Sequence, residues 1–123
     1  MDATGRLWRQ QALKGKFAAG FTVSSLPSGD KQSTLMSMFV FGMQHGMLWV
    51  GNPFLPEQHQ GVPVDEAVNR LGSWSGLMAQ AGHGQPANAF VAGDTKTARL
   101  FGQNFTSTVS RTHPCTQKKK KNT

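Results

Sequence analysis

A single cysteine, Cys115, occurs in the 123 residues, so no disulfide can close within the chain. A reducing, cytoplasmic setting is the expectation that follows. There is no run of 18 apolar residues, which removes a transmembrane helix of ordinary length. The start, Met1-Asp2-Ala3-Thr4-Gly5-Arg6, lacks a charged segment leading into an apolar one and does not read as a secretory leader. Acids are also few, six against thirteen Lys and Arg, for a net charge of +7. Four of those charges, Lys118 to Lys121, lie in the last six residues; the other nine Lys and Arg against six acids leave +3. Residues 114–123 are therefore expected to be a disordered basic tail on a near-neutral body. No basic cluster outside the tail points to specific nucleic-acid binding. His59, His83 and His113 show no ligand spacing, so no metal site is expected. Asp65-Glu66, adjacent on a loop, is weak ground for acid–base chemistry. No internal repeat is visible.

What is present is organised in four segments. Thr4 to Lys14 is a short helical or turn-like piece between Gly5 and Gly15, with Leu7, Trp8 and Leu13 as its apolar residues. Phe17 to Val23 is a short apolar run that reads as a buried strand, and Ser24-Ser25-Leu26-Pro27-Ser28-Gly29 as the turn it feeds. Asp30 to His45 is the best helix, with Ser28 or Asp30 as expected cap and Gly46 as a left-handed stop. Its apolar residues run nearly all round, which predicts a sheet on one side and a neighbouring subunit on the other. Met47-Leu48-Trp49-Val50 follows as a second strand. Strand, turn, helix and strand make a βαβ unit of a parallel sheet, whose ligands bind beyond the carboxyl ends of the strands. The turn 24–29 and the segment from Gly51 are the places so named.

Residues 53–93, rich in Gly, Pro, Gln and Asn, read as a long loop region. Asp94 is the expected cap of a last helix, Thr95 to about Ser110, with Ala98, Phe101, Phe105 and Val109 as its apolar stripe. The fold class is α/β. With two convincing strands where a doubly wound sheet needs about five, residues 1–113 are expected to form part of a domain with an unpaired strand edge.

In this order the segments resemble the flavodoxin-like NAD(P)H:quinone oxidoreductases of the tryptophan-repressor-binding-protein type. The motifs are Asp2-Ala3-Thr4-Gly5-Arg6-Leu7-Trp8, Leu13-Lys14-Gly15-Lys16 with the strand after it, and Gln44-His45-Gly46-Met47. Asn69-Arg70-Leu71-Gly72-Ser73, Gly76-Leu77-Met78-Ala79-Gln80 and the helix from Asp94-Thr95-x-Thr97-Ala98-Arg99-Leu100-Phe101-Gly102 complete the likeness. It covers residues 2 to 113. It implies a doubly wound parallel sheet, here incomplete, FMN as cofactor, NAD(P)H as co-substrate, a quinone as electron acceptor and assembly as a tetramer. It also implies that Ser24, Ser25, Leu26, Pro27, Ser28 and Gly29 present donors to the isoalloxazine edge. His45 matches the family histidine near the flavin, and Trp8 an aromatic that walls the nicotinamide and quinone pocket across a subunit contact. The usual loop is rich in Gly and Thr, whereas this one has Leu26-Pro27 and then Asp30-Lys31.

In the family, the phosphate-binding loop precedes the position matched by Met1, so a truncated gene product or a mis-called start is expected. Two readings stand: an FMN-dependent quinone reductase, and a non-catalytic flavodoxin-like fragment acting only through protein contacts. Without the family, Trp8 is an apolar plug, His45 a favourable partner of a helix dipole, and the serines ordinary turn residues.

Overall fold

A computed structural model describes residues 2–59, 61–84 and 86–112; the expected tail and Cys115 lie outside them. After a 3-10 turn over Asp2–Thr4 comes α1 (Gly5–Gln10). The strand expected over 17–23 is two pieces, β1 (Phe17–Ala18) and β2 (Phe21–Ser24), parted at Ala19 and Gly20. Then come α2 (Lys31–Gln44) and β3 (Leu48–Trp49). β1 and β3 pair in parallel, Phe17 opposite Leu48, which completes the βαβ unit. A further strand, β4 (Leu77–Gln80), lies within the stretch read as loop and pairs in parallel with β2, Phe21 opposite Leu77. Four residues set among glycines give too short a pattern to announce a strand. The last element is α3 (Ala92–Arg111).

The amides of Leu48 and Val50 donate to the carbonyls of Lys16 and Ala18, and those of Leu77 and Ala81 to Gly20 and Ser24. Carbonyls alternate in direction along a strand, so these even-numbered acceptors share one edge. β3 and β4 are thus two parts of one neighbouring strand, separated by an excursion whose base is closed by Asn52 N–H donating to Trp74 O at 2.9 Å. On the other edge, the backbone groups of Phe17, Ala19, Phe21 and Val23 have no backbone partner among the described residues.

Side chains sort by the same parity. Gly20 lies beneath α2, where Leu35 is fully buried and Trp49 packs edge-on to Phe39 with ring centroids 5.6 Å apart. A Cβ at Gly20 would stand 2.8 Å from the Trp49 ring, and one at Gly76 2.5 Å from Gly20 O. Closing α2 onto the strands therefore depends on both glycines. Trp49 Nε1 donates to Ser75 O at 2.9 Å and satisfies its one polar group. Phe21, Val23, Leu77 and Ala79 face the opposite way, towards Phe101 of α3. Helices on both faces of parallel strands give the α/β layering expected, at a width of two strands.

Three local expectations need correction. Neither Ser28 nor Asp30 caps α2 through its side chain; Asp30 itself is left-handed, with φ 51°. α3 begins at Ala92, and Asp94 turns away from the helix to bind other partners. Residues 53–93 contain β4 and two 3-10 turns, so they are not simply a loop. Gly46, with φ 69°, does end α2 as expected. Met36, Val40 and Met43 form an outward stripe on α2, each 40–48% exposed. Among the described residues no helix is long and apolar enough to cross a membrane.

Candidate functional site

β2 delivers the chain into the loop Ser24 to Gly29 at the carboxyl end of the sheet, where ligands of parallel α/β folds bind. Five consecutive carbonyls of this loop are held from within. Ala81 N–H donates to Ser24 O at 3.0 Å and Gln80 Nε2 to Ser25 O at 3.1 Å. Lys31 Nζ donates to Leu26 O at 2.7 Å, Pro27 O at 2.9 Å and Ser28 O at 3.4 Å. The carbonyl and amide of one trans peptide point in opposite directions, and no peptide here is cis. The amides that follow these carbonyls, those of Ser25, Leu26, Ser28 and Gly29, therefore point outward, and none has an acceptor among the described residues. Pro27 contributes none. Gly29 has φ 52°, and a Cβ there would overlap the Ser24 hydroxyl, so the turn needs glycine.

Behind the loop sits a charged cluster. Lys31 is 1% exposed. Burial lowers its pKa from the ordinary 10.5, repulsion from Arg70 lowers it further, and Asp94 opposes both. Arg70 and Asp94 form a two-pronged pair, Nε to Oδ1 at 2.8 Å and Nη2 to Oδ2 at 2.9 Å. Oδ2 also accepts the Gln80 amide at 3.0 Å, which ties α3 to β4. Two cations against one carboxylate leave this cluster positive. A polar cavity of about 360 Å³ opens beside it, lined by Ser25, Arg70, Gln80 and His83 and also by the carboxylate-bearing Asp65. Outward amides suit a ligand rich in hydrogen-bond acceptors.

Trp8 and His45 meet elsewhere. Together with Thr4, Gly5, Phe41 and Gln44 they line a cavity of about 290 Å³ at the far end of α2. His45 is 2% exposed, its ring lies 4.5 Å from that of Phe41, and its buried Nδ1 has no hydrogen-bond partner. The 14 residues of α2 separate this cavity from the loop by about 21 Å at 1.5 Å per residue. Within one protomer the structure gathers Ser24 to Gly29 in one place and Trp8 with His45 in another. Sequence reasoning missed Lys31, Arg70, Gln80 and Asp94 as a group. The Arg70–Asp94 pair spans 24 positions with no local pattern, and Asp94 reads in sequence as a helix cap.

No protein-family profile matches the chain. Curated relatives do. It is 40% identical over 111 residues to an NAD(P)H dehydrogenase (quinone) of Paraburkholderia phymatum, covering 90% of this chain and 53% of the relative. An NAD(P)H dehydrogenase (quinone) of Archaeoglobus fulgidus is 33% identical over 111 residues, 90% of this chain and 49% of its own. The flavodoxin FldP of Pseudomonas aeruginosa is 33% identical over 100 residues, 81% of this chain and 54% of its own. The chain spans about half the length of these relatives. With parallel strands between helices, a loop of outward amides at the strand ends and these likenesses over most of its length, the chain belongs to the flavodoxin-like quinone oxidoreductase family.

Proposed function

We propose that this chain contributes the ring-binding half of an FMN-dependent NAD(P)H:quinone oxidoreductase. The observation that carries the reading is the loop 24–29, whose four outward amides match the acceptor-rich edge of an isoalloxazine. Bound there, FMN supplies hydride acceptance from NAD(P)H and delivery of two electrons to a quinone. The chain's residues supply orientation and charge. Ser24, Ser25, Leu26, Pro27, Ser28 and Gly29 form the rim, and the amides of Ser25, Leu26, Ser28 and Gly29 stabilise negative charge on the ring edge. The motifs matched here lie on the ring side of the family's cofactor site.

Trp8 and His45 join that site from a second copy. The length of α2 keeps them from their own loop, and the apolar stripe Met36, Val40 and Met43 gives a homo-oligomer a surface to bury. Trp8, half exposed, then walls the quinone and nicotinamide pocket of its neighbour, while His45 stands near that neighbour's flavin. A cytoplasmic setting, expected from the single cysteine, belongs to this reading.

One observation favours the second reading, a fragment acting through protein contacts: the unpaired edge of β1 and β2, where Phe21 is 67% and Val23 45% exposed. An FMN titration of the purified chain by flavin fluorescence, with NAD(P)H oxidation by benzoquinone in the same tube, separates the two. Saturable binding with turnover lost in Trp8→Ala and His45→Ala supports the reductase. Absence of binding removes it and leaves the fragment.

A further inference from the structure

Lys31 is a positively charged side chain buried at the first turn of α2 that no part of the proposed chemistry uses. Burying an ammonium is unfavourable unless its donors are matched. Here all three are, by the consecutive carbonyls of Leu26, Pro27 and Ser28. None of the three acceptors is a carboxylate. The side chain folds back over its own helix start and occupies the inside of the turn. Among the described residues it is the sole donor to Pro27 O, while Leu26 O also accepts from Ser24 Oγ at 3.1 Å and Ser28 O from the Lys31 backbone amide at 3.1 Å.

We propose that Lys31 is a positioning residue for flavin, its ammonium holding the Pro27 carbonyl inward so that the amide of Ser28 faces the ring. The inference rests on the flavin reading of the loop. Its mechanism has two parts. Geometrically, each carbonyl held inward fixes its peptide plane and so sends the next amide outward, except at Pro27, which has none. Electrostatically, a cation on the carbonyl side of a peptide polarises it and strengthens the amide as a donor on the other side. Arg70 and Asp94 are the charged groups that act on Lys31 from the surrounding elements, the first against its charge and the second for it. Asp94, by holding Arg70 in a two-pronged pair, lets both cations sit behind one loop.

The positioning role and a merely structural one move in opposite directions with pH. Lys31 titrates below 10.5 in the folded chain and at about 10.5 when unfolded. As the pH rises through its folded value towards 10.5, the fold loses the burden of a buried charge and becomes more stable. The same deprotonation leaves the amine with one donor fewer and no charge, so the loop loosens and flavin binding weakens.

The test uses the whole chain, wild type and Lys31→Met, with amide resonances of the loop recorded by NMR without flavin and FMN affinity measured by fluorescence. Expected in Lys31→Met are a displaced resonance for Ser28, about tenfold weaker FMN binding, and loss of the alkaline fall in affinity expected of wild type. Loop resonances unchanged in a folded Lys31→Met overturn the proposal, whether or not FMN binds. Displaced resonances in a chain whose wild type binds no FMN uphold the loop mechanism and sink the flavin reading. If Lys31→Met does not fold, the wild-type pH series decides. Affinity falling while stability rises supports positioning, and the two moving together refutes it.

Discussion

Replacing Asp94 with alanine is the perturbation whose cost the structure sets most clearly. The carboxylate is 3% exposed and accepts three hydrogen bonds, two from Arg70 and one from the Gln80 amide. Its loss strands a guanidinium that is 12% exposed and a backbone amide on β4, a combination worth about 3–5 kcal/mol when one partner of a buried pair is removed. Arg70→Leu should cost less. It leaves Asp94 with the Gln80 amide and a place in the first turn of α3, where the helix dipole contributes about 0.3–1 kcal/mol. The double variant, which removes both charges, should recover part of the loss, because a buried pair exchanged for apolar groups is often close to neutral. Urea unfolding followed by tryptophan fluorescence measures all three, and the double-mutant cycle isolates the pair. A loss below about 1 kcal/mol for Asp94→Ala would refute the reasoning, since it would mean the pair behaves like one at the open surface.

Other perturbations test other parts. Phe21→Lys, on the unpaired edge, should change stability by no more than about 0.5 kcal/mol while reducing self-association by light scattering; unchanged scattering would show that the edge is not sticky. Val40→Glu, in the middle of the outward stripe of α2, should shift the proposed homo-oligomer to a smaller species in sedimentation velocity, and an unaltered distribution would remove this stripe as its interface. Global stability of the wild type should rise with pH in the window between the folded pKa of Lys31 and 10.5, and Lys31→Met should lack that rise; equal slopes would remove Lys31 as the cause.

Elements dictated by local pattern were legible in the sequence. The apolar run of α2 closed by Gly46, the strand before it and the one after it give the βαβ unit, and the unit places the loop 24–29 at a ligand-binding end. What depended on distant contact was not legible. β4 is four residues long and is a strand only because Gly20 and its neighbours offer an edge. Asp94 looks like a cap, and becomes an ion-pair partner because Arg70, 24 positions earlier, is brought beside it. Lys31 looks like an ordinary exposed lysine near a helix start, and its burial follows from three carbonyls that no pattern announces. Trp8 and His45 were legible as a pair through the family alone; their distance from the loop needed the helix length between them.

On the proposed reading, this chain holds the flavin ring at the loop 24–29. Titrating FMN into the isotope-labelled chain and following each amide by NMR tests it most directly. The resonances of Ser25, Leu26, Ser28 and Gly29 should shift together and saturate with one affinity. Saturable shifts confined to the groove between β2 and α3, around Phe90 and Phe101, with the loop silent, would contradict it.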